Sequence, residues 1–172
     1  GEAAAPAGTG RITMKMNSLV DPQLIDRLYE ASQAGVEVDL IVRGICCLRP
    51  GVPGLSERIR VRSVIGRYLE HSRIYRFANG SGPGEPVAFI GSADLMPRNL
   101  DRRIEALVPV TDPSLARRVD ELLDVELADD TLAWTLGADG TWTHVPQGRT
   151  VDTHLRFQEL ALARASRMDV DR

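Results

Sequence analysis

Apolar and polar residues alternate at Ile12, Met14 and Met16, so residues 11–16 predict a strand with one buried face. Asp21-Pro22 then marks a helix start: the carboxylate can accept from the first unpaired amides, and proline suits the first helical position. Leu24, Ile25, Leu28 and Ala31 recur at helical spacing until Gly35 closes the turn. Val36, Val38, Leu40, Ile41 and Val42 form a nearly continuous apolar run, the signature of a strand covered on both faces. A strand, helix and strand within about 30 residues predict a right-handed parallel crossover. Ligands of such units sit beyond the carboxyl ends of the strands, which is where Arg43 lies.

Residues 43–56 are broken by Gly and Pro and read as a loop. Ile59, Val61, Ser63 and Ile65 alternate as a third strand, with Arg58, Arg60 and Arg62 on its other face, taken as solvated. Strands are expected over residues 73–78 and 86–91, joined by an Asn-Gly-Ser-Gly-Pro-Gly turn at 79–84 with no other evident purpose, and over 104–110. Asp112-Pro113 repeats the helix start and predicts a helix to about residue 128. A hairpin over 132–136 and 141–145, with Trp134 and Trp142 in its core, and a helix over 152–168 complete the chain. The expectation is an α/β fold, a mixed sheet flanked by helices. Residues 1–10 read as a flexible N-terminal segment, 11–130 as the domain, and 131–172 as a hairpin and helix appended to it.

Composition changes this picture in one respect. The formal net charge is −3, but residues 43–103 carry 11 arginines against 5 acidic residues, while the remainder carries 10 basic residues against 19 acidic. Lys15 is the only lysine. Guanidinium forks suit bidentate contact with phosphate oxygens. A GC-rich coding sequence accounts for the preference for arginine, not for its clustering. The two cysteines, Cys46 and Cys47, are adjacent and ill suited to an ordinary disulfide, so they read as reduced packing residues, and their spacing is not that of a zinc site. With no apolar run long enough to span a bilayer and no signal-peptide pattern, the chain is expected in the cytoplasm, peripheral attachment to a membrane included. Its first residue is Gly rather than Met, as expected of a fragment of something larger.

The chemistry concentrates in residues 67–105. His71 precedes one apolar strand, and Gly91-Ser92-Ala93-Asp94 follows the next, so His71 and Ser92 fall at neighbouring ends of two strands that can pair. His71, Ser72 and Arg73, then Gly91 to Asp94, then Arg98, Asn99 and Glu105 resemble a half-site of the phospholipase D superfamily. There a His-x-Lys motif precedes a strand, a Gly-Ser-x-Asn turn follows the next, and a carboxylate comes shortly after. Arg73 stands in the lysine's place and Asp94 in that of the final asparagine. In such sites one histidine attacks phosphorus, a second handles the leaving-group proton, and cationic and hydroxyl groups hold the phosphate.

Further runs carry a more specific resemblance. Lys15-Met16-Asn17-Ser18-Leu19, Leu28-Tyr29-Glu30-Ala31-Ser32-Gln33-Ala34-Gly35, Leu40-Ile41-Val42-Arg43-Gly44-Ile45-Cys46, Arg67-Tyr68-Leu69-Glu70-His71-Ser72-Arg73 and the stretch from Gly91 to Glu105 resemble the polyphosphate kinase family, in order, as do Leu127-Ala128-Asp129 and Asp139-Gly140. The resemblance implies the carboxy-terminal, phospholipase D-like domain of an enzyme that reversibly transfers the terminal phosphate of ATP to inorganic polyphosphate. It places the phosphohistidine in a preceding domain that is missing here and makes the isolated domain inactive. It further implies His71 as the second histidine of the site, Arg43 as an ATP-contacting arginine, Mg2+ accompanying the nucleotide, and a homo-oligomeric whole enzyme. Arg67, Arg73, Arg98 and Arg102 are added by position as lining candidates for nucleotide or phosphate. Asp94 and Asp101 are expected to orient Arg98 and Arg102 by ion pairs, and His144 and His154 to be surface residues.

Two rival readings stand beside it. A free-standing phosphodiesterase could complete a two-histidine site by homodimerisation, though it would be expected to carry His-x-Lys and Gly-Ser-x-Asn. A non-enzymatic polyanion-binding module would need only the basic middle third and could dispense with His71. No aromatic stacking surface accompanies the arginines, so nucleic acid is not expected as a partner.

Overall fold

In the computed structural model, residues 2–5, 9–146, 148 and 150–170 are described. The alternating run becomes β1 (Arg11–Met16), and the continuous apolar run becomes β2 (Glu37–Val42), paired parallel to β1 with Arg11 opposite Glu37 and Met16 opposite Val42. Between them runs α1 (Pro22–Gln33), whose first turn is capped by the Asp21 carboxylate accepting from Leu24 N at 2.9 Å. Gly35, at a φ of 90°, turns the chain out of the helix. β3 (Ile59–Val64) joins β2 in parallel.

The remaining strands are antiparallel. β4 (Arg73–Gly82) lies beside β1, followed outward by β5 (Glu85–Gly91) and β6 (Leu107–Pro109); β7 (Ala133–Leu136) and β8 (Trp142–His144) extend the sheet beyond β3. The order is β6-β5-β4-β1-β2-β3-β7-β8. Two further helices, α3 (Pro113–Ala128) and α4 (Thr153–Val170), complete the flanks, with Asp112 capping α3 through Ser114 N and Leu115 N. The appended hairpin is thus part of the same sheet.

The two faces of the sheet differ. Ile12, Met14, Met16, Val38, Leu40, Val42, Ile59 and Val61 form one core with Ile25 and Leu28 of α1. Burying each such side chain contributes roughly 1.5–3 kcal/mol. On the opposite face Ile41 and Ile74 meet Leu123 of α3 in a smaller cluster. The charged side chains there are paired: Arg60 reaches Asp39 at 2.8 Å, Arg58 reaches Glu37 at 2.7 Å, and Arg76 pairs with Asp120. The arginine face at 58, 60 and 62 is therefore not simply solvated. Arg62 is half-buried and donates to the carbonyls of Glu126 and Leu127, capping the end of α3.

Other expectations are corrected. The strand expected over 104–110 pairs only at 107–109, because Glu105 is drawn to Ser92 and Asn99 instead. A short helix, α2 (Pro97–Arg102), was not foreseen. The strand expected to end at 78 runs on to Gly82, leaving only Pro83 and Gly84 to turn, and the stretch expected as a plain turn has a purpose: Asn79 is buried and its side-chain amide donates to Glu2 at 2.9 Å, while its oxygen accepts from Gly84 N at 2.7 Å. Within the N-terminal segment Glu2 is buried, and residues 1 and 6–8 lie outside the described residues. Trp142 packs on the main core, but Trp134 is largely exposed, edge-on to a half-buried His144. His154 is buried at 5 % exposure, not at the surface, because α4 lays it against the segment between β3 and β4.

Candidate functional site

The strand directions decide where chemistry collects. β1, β2 and β3 end, β4 begins and β5 ends at one edge of the sheet, so Asn17, Arg43, Arg67, His71, Arg73 and Ser92 all belong to that edge. This is the carboxyl edge of the parallel strands, where the crossover rule expects a ligand. The loop after β1 and the turn after β5 are stitched together: Leu95 N donates to Ser18 O at 3.1 Å, and Val20 N donates to Leu95 O at 2.8 Å.

Across this edge runs one continuous polar chain. Arg43 Nε donates to Asn17 Oδ1 at 2.9 Å. The backbone N of Asn17 donates to Asp94 Oδ1 at 2.7 Å, and its side-chain amide donates to Asp94 Oδ2 at 3.3 Å. Arg73 forks onto the same carboxylate, Nε to Oδ1 at 3.2 Å and one terminal nitrogen to Oδ2 at 3.0 Å. Its other terminal nitrogen lies 2.9 Å from His71 Nδ1 and donates to the His71 carbonyl at 2.8 Å. Burial opposes a charge on Asp94, but the Arg73 fork and the Asn17 bonds outweigh it and hold the carboxyl below its usual range.

A guanidinium has no acceptor, so the contact with Arg73 assigns His71 Nδ1 as acceptor and puts the ring proton on Nε2. His71 is exposed, and Nε2–H is the group it presents outward. Among the described residues the terminal nitrogens of Arg43 have no protein partner, which leaves its fork free for an oxyanion.

The structure brings Arg43, His71 and Arg73 into this chain. Arg67 is exposed at the same edge, its guanidinium 5.5 Å from the Tyr68 ring centre. Arg98 and Arg102 are exposed on α2 with no protein partner among the described residues. Asp94 therefore orients Arg73, not Arg98 or Arg102. The two positions at which this chain departs from the half-site pattern, Arg73 and Asp94, pair with each other. Asn17, which links Arg43 to that aspartate, is a site residue that strand periodicity could not single out, although it lies within a family-like run. Glu105 accepts from the Ser92 hydroxyl and, at 2.6 Å, from the Asn99 amide, and those bonds hold its carboxyl low.

The carboxylates at this edge form no metal cage of their own, so a magnesium ion accompanying the nucleotide would be held chiefly by its phosphates. Asp94 is taken up by Arg73 and Asn17, Glu105 by Ser92 and Asn99, and among the described residues no group of three or more His, Cys, Asp or Glu could hold a metal ion. Cys46 is half-buried against the core, its thiol pushed up to about 11 by burial, whereas Cys47 is exposed and does not pack as expected. Among the described residues no helix is long and apolar enough to cross a membrane.

Residues 2–158 match the family model described as polyphosphate kinase C-terminal domain 2. Polyphosphate kinase 1 of Chlorobaculum tepidum is 62 % identical over 142 residues, 83 % of this chain and 20 % of that protein. Polyphosphate kinase of Streptomyces coelicolor is 61 % identical over 132 residues, 77 % of this chain and 17 % of that protein. The chain thus spans about a fifth of the length of the relatives it matches. The crystal structure of polyphosphate kinase from Porphyromonas gingivalis superposes with a TM-score of 0.84 at 41 % identity, covering 90 % of this chain and 24 % of that one. Nuc from Salmonella typhimurium, a phospholipase D family member, superposes with a TM-score of 0.51 at 18 % identity, covering 71 % of this chain and 78 % of that one, which supports the phospholipase D-like fold.

Proposed function

The chain belongs to the polyphosphate kinase C-terminal domain 2 family, and from that premise we propose that it supplies half of a composite site for reversible transfer of the terminal phosphate of ATP to inorganic polyphosphate. The observation that carries this reading is the unbroken chain Arg43, Asn17, Asp94, Arg73, His71 along the carboxyl edge of the sheet. It supports a His71 whose Nδ1 accepts from Arg73 and whose Nε2–H faces outward, beside an unpaired arginine fork at the same edge. In the proposed reaction Nε2–H of His71 donates to the phosphoryl group in flight or to its leaving oxygen, and Arg43 holds nucleotide phosphate oxygens. Arg67 and Arg98 are exposed cations for the polyphosphate chain. The phosphohistidine belongs to the preceding domain, ATP, ADP and polyphosphate are the partners, and the whole enzyme is a homo-oligomer in the cytoplasm. Mg2+ would accompany the nucleotide on its phosphates, neutralising their charge; no residue of this chain is assigned to it and no step is routed through it.

The test is ATP-to-polyphosphate transfer by this chain alone and by the chain joined to its natural upstream sequence, each with and without His71→Ala. Activity confined to the long form and abolished by His71→Ala is expected. Phosphodiester hydrolysis by the short chain would overturn the proposal in favour of a homodimeric hydrolase. Polyphosphate binding indifferent to His71, with no transfer in either form, would leave a binding module.

A further inference from the structure

Behind His71 lies a buried cluster that the site described above does not use. Residues 66–72 connect β3 to β4 and deliver His71 at their far end. Side chains from distant elements fix this segment. Glu70 Oε2 is 3.3 Å from Lys15 Nζ on β1, and Glu70 Oε1 is 3.0 Å from His154 Nε2 on α4. Lys15 Nζ is also 3.4 Å from Glu126 Oε1 on α3, and both Lys15 and Glu126 are fully enclosed. The backbone N–H of Tyr68 donates to His154 Nδ1 at 3.2 Å, and Gln158, one turn further along α4, donates to the Tyr68 hydroxyl.

The tautomer of His154 follows from these contacts. An amide N–H can only donate, so Nδ1 accepts and Nε2 carries the proton on the side of Glu70. Nε2 approaches Glu70 off its N–H axis, a close polar contact rather than an aligned hydrogen bond. Gly66 makes the approach of the ring possible: a Cβ there would stand 2.8 Å from His154 Nδ1 and 2.8 Å from Leu132 Cδ1.

Burying such a group costs several kcal/mol per ion, and an apolar filling of the same volume would serve stability as well or better. Stability therefore does not account for the cluster. Its placement does. Every group in it touches, or touches a neighbour of, residues 66–70, which lead to His71, while His71 itself is exposed and its side chain is tethered only by Arg73 among the described residues. Glu70 points inward where the adjoining His71 is exposed, so anchoring Glu70 sets where the next Cα stands.

We infer that His154 and Glu70 are positioning residues for His71: α4 clamps residues 66–72 from behind and fixes the imidazole at the sheet edge. The inference rests on the proposed role of His71 in phosphoryl transfer. It makes the C-terminal helix a working part of the site, though no residue of α4 is among the site candidates.

The experiment uses the full-length enzyme, assayed for ATP-to-polyphosphate transfer well below its unfolding temperature, with His154→Ala, His154→Asn, Gly66→Ala and His71→Ala compared. A misplacement near 1 Å costs up to about a hundredfold in rate. His154→Ala and Gly66→Ala are expected to lower kcat by about ten- to a hundredfold with KM for ATP within about threefold. His154→Asn is expected to recover much of that loss, because its side-chain oxygen can accept from Tyr68 N where Nδ1 did. A kcat for His154→Ala within about threefold of the unsubstituted enzyme would overturn the inference. So would a loss that His154→Asn does not reduce, or one that merely tracks the folded fraction in a thermal melt. Undiminished activity in His71→Ala would instead overturn the reading of His71, and the clamp with it.

Discussion

The face of the sheet beneath α1 and the face beneath α3 solve burial in opposite ways. The first is a hydrocarbon core: Met16, Val38, Leu40 and Val42 are enclosed with no polar group among them. The second encloses Lys15 and Glu126 and pairs Arg60, Arg62 and Arg76 with carboxylates or helix-end carbonyls. Dispersion contacts are forgiving of small changes in shape, whereas a buried charge is satisfied by few geometries. The apolar face can hold the fold through many sequences. The charged face can hold it in one arrangement, and that face backs the segment carrying His71.

Breaking a charge should therefore cost the most. Lys15→Ala leaves Glu70 without its cation and is expected to destabilise by about 3–5 kcal/mol in urea unfolding. Lys15→Met with Glu70→Gln, which removes the carboxylate along with its cation, should recover most of that; if the double variant is as unstable as the single one, the cluster is not electrostatically matched and the contrast fails. On the apolar face Leu40→Ala should cost about 2–5 kcal/mol, and Leu40→Met less than about 1.5 kcal/mol. A comparable tolerance at Lys15 would erase the difference between the faces.

Titration sharpens the contrast. Burial, with Glu70 nearby, pushes the Glu126 carboxyl up to about 8 from an ordinary 4.5. Between those values the folded chain holds a proton that the unfolded chain has lost, so this group's stabilisation is present in acid and disappears as pH rises towards 8. Each unit of raised pKa corresponds to about 1.4 kcal/mol, so the decline from about pH 5 to 8 should be on the order of a few kcal/mol. Melting curves of Glu126→Gln should lack that decline; an equal slope in both proteins would show Glu126 to be ionised in the fold. The smallest effect is expected at the rim, where Arg76→Ala removes a partly exposed pair with Asp120 and should cost about 0.5 kcal/mol.

The sequence made the apolar face easy to read and the charged face nearly invisible. Alternation at Ile12, Met14 and Met16 and the Asp-Pro starts of α1 and α3 are local signals, since strand period and capping are decided by neighbours in the chain. The site was legible for a similar reason: His71 and Arg73, and then Ser92 and Asp94, sit in two short runs that a hairpin brings together. Lys15, Glu70, Glu126 and His154 come from four separate elements, and each alone is a residue type that belongs in water. Only the meeting of β1, α3, α4 and the 66–72 segment makes their burial tolerable. For the same reason the partner of Asp94 cannot be read from proximity along the chain: Arg98 and Arg102 are nearer in sequence, but the β4–β5 pairing brings Arg73 nearer in space.

The extreme strands of the sheet, β6 and β8, are three residues long each, and β6 ends on Pro109. A foreign strand adding to either side would find few free amides and carbonyls to pair with, and on one side an imide that cannot donate. An eight-stranded sheet with exposed Leu107 and Val108 at its border would otherwise be an open template for stacking one molecule onto the next. Its blunt borders leave such stacking little to build on.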